Sequence, residues 1–162
     1  MLTKLVKKLK LLRGLFKDQE ILELKKFSNK TIEEAALKND KLLAEISLIA
    51  YALHKLLSKV HVIESMKWIR IRNAIFTSLD KSIFMLRAKK IAKFEAELGK
   101  ISTNINNFDR DLGNFVQNVL DKAKIKQASR AYSAGLSLSQ AAYLTNADKK
   151  SVQQYIGQTT MH

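Results

Sequence analysis

Residues 41–60 read KLLAEISLIAYALHKLLSKV, and their spacing decides the class of the fold. Leu42, Ile46, Ile49, Leu53, Leu56 and Val60 recur at alternating steps of three and four, and Leu43, Ala50 and Leu57 widen the row. An α-helix has 3.6 residues per turn, so these steps draw one stripe along it, whereas a half-buried strand would alternate every second residue. The most apolar uncharged run, 46–54, has nine residues, and a membrane-spanning helix needs about 20. Thr31 and Glu34 stand at the capping-box spacing, which predicts a helix over about 32–62.

The same signature extends in both directions. Upstream, Leu2, Leu5, Leu9, Leu12 and Phe16 form a row backed by Lys4, Lys7, Lys8, Lys10, Arg13 and Lys17, which predicts a basic amphipathic helix over 2–27. Downstream, Ile69, Phe76, Leu79, Ile83 and Leu86 make a less regular row, interrupted by Arg72, for a helix over about 65–88. A longer row holds heptad phase through Ile91, Phe94, Leu98, Ile101, Ile105, Phe108, Leu112, Phe115 and Val119. Gly99, Gly113 and the asparagines at 104–107 are poor helix formers, yet the unbroken phase predicts one continuous helix over 90–120. Glu95, Glu97, Asp109 and Asp111 flank that stripe, and the basic segment 67–93 is their expected neighbour. Phenylalanine at three of the four d positions is bulky for a two-stranded seam, so an antiparallel bundle core is the simpler packing and a dimeric coiled coil its competitor.

Composition agrees. The 162 residues include no proline and five glycines, where average usage would supply roughly eight prolines at about 5%. With no cysteine there is no disulfide framework, zinc ribbon or thiol nucleophile, and a reducing compartment, the cytoplasm, is expected. The lysine-studded start lacks the apolar block of a secretory signal. Twenty-nine basic groups against 15 acidic ones give a net charge of +14, which favours an anionic partner, nucleic acid or a membrane surface. The charge is uneven: +6 over 1–17, −1 over 18–64, +6 over 65–110 and +3 over 111–162.

From residue 121 the pattern changes to shorter segments with explicit caps. Gly135 follows KAKIKQASRAYSA and is expected to end that helix in a left-handed conformation. Ser137 and Gln140 repeat the capping-box spacing and open the short helix SQAAYL. TNAD reads as a tight turn, Asp148 is placed to cap KKSVQQYI, and Gly157 is expected to stop it. Three helices with a four-residue turn between the last two describe a helix-turn-helix.

Over 121–157 the chain resembles the bacterial and archaeal helix-turn-helix DNA-binding domains, and its lysine-rich, cysteine-free character fits an archaeal origin. Ala142 stands where those domains need a small residue, and Asn146 stands at the turn position usually held by glycine. Ala147, Val152 and Tyr155 match the positions that clip the second helix to its scaffold. No following β-hairpin is read, which argues against a winged form. Residues 1–120 carry no such resemblance. The expected organisation is all-α: a long-helix bundle over 1–120 followed by a helix-turn-helix over 121–162.

The resemblance implies that the last helix enters a major groove. There Lys149, Lys150, Gln153 and Gln154 would face away from Val152 and Tyr155, with lysine suited to phosphate or guanine and glutamine to adenine. Ser151 could donate to either. Ser137 and Ser139, at the start of the preceding helix, suit a phosphate. Lys122, Lys124, Lys126 and Arg130 would add sequence-independent attraction. The expected partner is double-stranded DNA, with RNA second, and the bundle is expected to dimerise or to engage a partner protein. Two-fold pairing would place two reading helices about 34 Å apart.

Other readings stand beside this one: a capped helical hairpin as a protein dock, a ribosome- or RNA-binding factor, an antitoxin, or a membrane-surface adaptor using the first helix. Trp68 in KWIRIR suits a bundle interior better than a stacking platform for bases. Neither a metal nor another cofactor is expected. His54 and His61 lie seven apart on one helix face without a third ligand, and Glu33, Glu34 and Glu45 lack the histidine partners of a di-iron bundle. The absence of a Gly-rich phosphate loop, a nucleophile elbow and a His-Glu-x-x-His motif makes catalysis an unfavoured reading.

Overall fold

Helix follows helix along the whole of the computed structural model, which describes residues 2–113 and 118–160. In chain order they are α1 (Leu2–Lys17), α2 (Ile21–Lys38), α3 (Lys41–Leu57), the single turn α4 (Val60–Ile63), α5 (Trp68–Arg87), α6 (Ile91–Asp111), α7 (Val119–Ser133), α8 (Leu138–Thr145) and α9 (Lys149–Thr160). No strand occurs among the described residues.

Two long hairpins, α2–α3 and α5–α6, form the frame, with α1 laid across α5 and α2, and α7 packed on α3 and α2. The chain turns without proline by a repeated device. At 19, 39, 89, 135 and 146 a residue with positive φ follows a helix, and its own N–H and that of the next residue close back on the helix's last turn. At the α2 end, Asn39 N–H donates to the Ala36 carbonyl and Asp40 N–H to the Ala35 carbonyl. This is the Schellman arrangement, which satisfies carbonyls the helix would otherwise leave open. Only Gly135 of these five is glycine; the others are Gln19, Asn39, Lys89 and Asn146.

These stops correct several boundaries. The first helix ends at Lys17 and not at 27, because Gln19 takes φ 53°. The predicted helix over 32–62 is parts of α2, α3 and α4. Thr31 and Glu34 lie inside α2 and cap nothing; both receive the Lys8 ammonium of α1, at 3.3 Å each. The cap that opens α3 is Asp40, whose carboxylate accepts from the Leu42 and Leu43 N–H groups. The continuous helix over 90–120 is also corrected: α6 ends at Asp111, Gly113 has φ +72°, and α7 begins after Asn118, at φ 59°. Phe115 of that row lies outside the described residues. Val119 returns to the core, and its N–H donates to the buried Asp109 carboxylate. Gly157 does not stop the last helix, which continues to Thr160.

The main core joins the four rows read from the sequence. Leu9, Leu12, Leu53, Leu56, Phe94, Leu98, Ile101 and Ile105 are fully buried. In the third row Leu79, Ile83 and Leu86 are buried, but Ile69 is exposed and Phe76 half-buried, and Trp68 and Ile75 are buried in their stead. Trp68 sits between Phe16, edge-on at 6.1 Å, and Phe108 at 5.8 Å, so its ring is interior and offers no stacking surface. The stripe of α1 contributes Leu9, Leu12 and Phe16 to this core. Two of that helix's cations are held across the bundle, Lys8 by Glu34 and Arg13 by Asp80 at 2.6 Å.

A second core lies at the carboxyl-terminal end and is built mostly of alanine. Ala35 and Ala36 of α2, Ala44 of α3, Ala128 and Ala131 of α7, and Ala141 and Ala142 of α8 meet there. Ile32, Leu43, Leu144 and Val152 fill the remainder. Small side chains let helix backbones approach closely, which is how two short helices are held against the frame.

Candidate nucleic-acid interface

Local chemistry fixes α8 and α9. Ser137 Oγ accepts from the Gln140 N–H at 3.1 Å, and Gln140 Oε1 accepts from the Ser137 N–H at 3.2 Å, a complete capping box. At its other end, Asn146 has φ 57°, and the Ala147 N–H donates to the Ala142 carbonyl at 3.0 Å. Thr145 is buried, its hydroxyl donating to the Ala141 carbonyl. Asp148 then opens α9. Its Oδ2 accepts from both the N–H and the hydroxyl of Ser151, at 3.0 and 2.9 Å. The Ser151 hydroxyl, foremost, and then its N–H hold the Asp148 carboxyl below the usual carboxylate range, even though it lies at the surface.

The buried side of this pair is short. Val152 is fully buried, Ala142 and Leu144 nearly so, and Ala147, Tyr155 and Ile156 are half-buried. Tyr155 is therefore less of an anchor than its position suggests. On the other side Lys149, Lys150, Gln153 and Gln154 are all exposed. Among the described residues neither lysine is held in an ion pair within 4.0 Å. The arrangement offers two exposed cations and two amides on one helix of twelve residues. Their hydrogen-bonding groups are suited to phosphate oxygens and to base edges.

The other candidates are more committed. Ser151 is half-buried, and its hydroxyl proton is engaged by Asp148. Ser137 Oγ already accepts one backbone N–H but retains a hydroxyl proton to donate, and Ser139 is exposed beside it. On α7, Lys124 lies 3.9 Å from Asp121, Lys126 is 5.5 Å from the Tyr51 ring, and Arg130 is bound to Glu33 at 3.1 Å. Lys122 is exposed. It precedes Arg130 by eight residues, about 12 Å along the helix, and Lys126 and Arg130 line a cleft with Tyr155 of α9.

Sequence reading missed Lys41 and Tyr143. Lys41, the first residue of α3, holds its ammonium 3.7 Å from the centre of the exposed Tyr143 ring and 3.4 Å from Asn146 Oδ1. The pair ties the turn before α9 to the frame. It joins residues about a hundred positions apart, so no local pattern announces it.

His54 has a defined contact. Its Nδ1 lies 2.8 Å from the Ile21 carbonyl, and burial, ahead of the other influences, lowers its pKa. No group of three histidine, aspartate or glutamate side chains that could hold a metal occurs among the described residues. No helix among them is long and apolar enough to cross a membrane. No protein-family model, no curated protein and no solved structure matches the chain.

Proposed function

We propose that α7, α8 and α9 act as a helix-turn-helix that binds double-stranded DNA without catalysis, in the cytoplasm, as a transcriptional regulator or nucleoid-associated protein. The observation that carries this reading is the two-sidedness of α9. Val152 is fully buried, while Lys149, Lys150, Gln153 and Gln154 stand in solvent. A helix held by one face and carrying cations and amides on the other can lie in a major groove, where lysine meets phosphate and glutamine pairs with adenine. The capped turn fixes the angle at which it would enter. The net charge of +14 supplies the long-range attraction. The frame formed by α1–α6 is then the part available for dimerisation or for a partner protein.

The test is a duplex titration at several salt concentrations, comparing the wild type with a Lys149→Ala, Lys150→Ala, Gln153→Ala triple variant. Two lost phosphate contacts should flatten the slope of log K against log salt by about 1.8, at roughly 0.9 per contact. Equal affinity and equal slope in the two proteins would remove the proposal. A structured RNA at matched salt is the control, and tighter binding to it than to duplex would assign the surface to RNA.

A further inference from the structure

A cleft of about 530 Å³ opens between α2, α7 and the Tyr155 side of α9, away from the exposed face of α9. Its size suits a small organic ligand, for which pockets of roughly 300–1,000 Å³ are usual. Three cations line it, Lys25, Lys126 and Arg130, against one carboxylate, Glu33. The lining therefore carries two net positive charges. Glu33 takes one terminal nitrogen of Arg130, at 3.1 Å, and leaves the rest of the guanidinium's donor fork available.

Behind the lining residue Gln127 lies a buried polar cluster. Ser28 of α2 and Ser47 of α3 exchange hydrogen bonds, each hydroxyl donating to the other's carbonyl at 2.7 and 2.8 Å. The two hydroxyl oxygens also lie 3.1 Å apart, and Gln127 Nε2 donates to both, at 2.7 and 3.2 Å, and to Asn29 Oδ1 at 3.4 Å. Gln127 is buried, and its Oε1 is left without a hydrogen-bond partner. A buried amide oxygen without a donor is destabilising, and a donor group can recover that loss. Asn29, Ser129 and Ser133 add further polar groups along the cleft, and the half-buried Tyr155 supplies an aromatic wall.

We infer that this cleft binds a small phosphate monoester with a hydroxyl-bearing body, a sugar phosphate or a mononucleotide. The phosphate dianion matches the two net charges of Lys25, Lys126, Arg130 and Glu33. Gln127 lines the cleft, and a hydroxyl of the body supplies the donor that its Oε1 lacks once the buried amide turns toward the ligand. The site shares Lys126 and Arg130 with the sequence-independent contacts expected of α7, but none of the four exposed residues of α9, so Lys25 and Gln127 test it apart from the DNA-binding face.

Isothermal titration of the full chain with AMP, ribose 5-phosphate, inorganic phosphate and malate tests the assignment. At least one of the two esters binds one-to-one, tenfold or more tighter than inorganic phosphate and malate. AMP ahead of ribose 5-phosphate identifies a nucleotide, with the base against Tyr155; parity identifies a sugar phosphate. Lys25→Gln weakens the ester at least fivefold. So does Gln127→Met, which keeps the volume but removes the amide, provided its helical circular dichroism matches the wild type. If Gln127→Met does not fold, Lys25→Gln alone decides. Binding of inorganic phosphate or malate as tight as the esters, no saturable binding of either ester, or a Lys25→Gln variant with wild-type affinity overturns the inference. A loss of duplex binding leaves this result untouched, because Lys25 and Gln127 are not in the proposed DNA-binding face.

Discussion

The two cores of this protein solve the same problem with different materials. The main core is made of large side chains, with Phe16, Trp68, Phe94 and Phe108 set among leucines and isoleucines. The core beneath α8 and α9 has seven alanines among its eleven buried residues. Large side chains bury much apolar area per residue and so carry stability, at about 25 cal/mol per Å². Alanines contribute less area but bring backbones together, so that core sets position more than it supplies free energy. The two cores should therefore fail under opposite kinds of substitution.

The largest expected effect is on the main core. Leu53 is fully buried there, and Leu53→Ala should cost about 2–5 kcal/mol in denaturant unfolding, from lost transfer energy plus a residual cavity. The reverse change tests the alanine core. Ala128→Leu should cost about 1–3 kcal/mol by overpacking, and should displace α8 and α9 from the frame. Its signature is a larger loss of duplex affinity than Leu53→Ala causes under conditions where both variants are folded. An Ala128→Leu variant as stable as the wild type would break the distinction between the two cores.

That distinction also explains what could be read in advance. Long rows of large residues announce themselves by period, and the stripes of α1, α3 and α6 were legible from Leu9, Leu53 and Ile101 alone. The caps at Ser137, Asn146 and Asp148 were legible too, because their side chains make local bonds with fixed spacing. The missed boundaries share one cause. Gln19 and Asn39 take left-handed φ values of 53° and 50°, a conformation for which Gln carries no sequence signal. Their helices stop because the following segment packs elsewhere, a tertiary decision and not a local one. The unbroken heptad phase through Phe108 and Val119 misled for a related reason: both residues are buried in the same core although α6 has ended between them. The contacts of Lys41 with Tyr143 and of Gln127 with Ser28 span about a hundred residues each and leave no trace in spacing.

A smaller effect sharpens the same point. A left-handed side-chain residue costs about 1–2 kcal/mol, and glycine removes that strain at an entropic cost of roughly 0.5–1 kcal/mol. Gln19→Gly and Lys89→Gly should therefore each raise stability by about 0.5–1 kcal/mol in urea unfolding. Asn146→Gly should gain less, because asparagine tolerates this conformation better and Asn146 Oδ1 also meets Lys41. A loss of stability in the first two would mean that their side chains hold the turns.

The smallest expected effect concerns pH. Burial first, and then the charge of Glu95, raise the Glu45 carboxyl above its ordinary value. The folded protein thus holds this proton more tightly than the unfolded chain does. The corresponding stabilisation is full below the ordinary carboxylate range and is lost as pH rises through the raised value. Glu45→Gln should raise the melting temperature at neutral pH and leave it little changed near pH 3. Asp148 behaves oppositely: its lowered value keeps the α9 cap charged below the ordinary range, and the cap is lost as pH falls through that lowered value.

The measurement that bears most directly on the proposed function is a residue-resolved titration of the protein with duplex DNA, followed by the backbone amide signals. The largest changes should fall on 149–154 of α9, with smaller ones at Ser137, Ser139 and the exposed cations of α7. Changes concentrated instead on the lysines of α1, with α9 unmoved, would contradict the account and place the anionic partner on the opposite end of the chain.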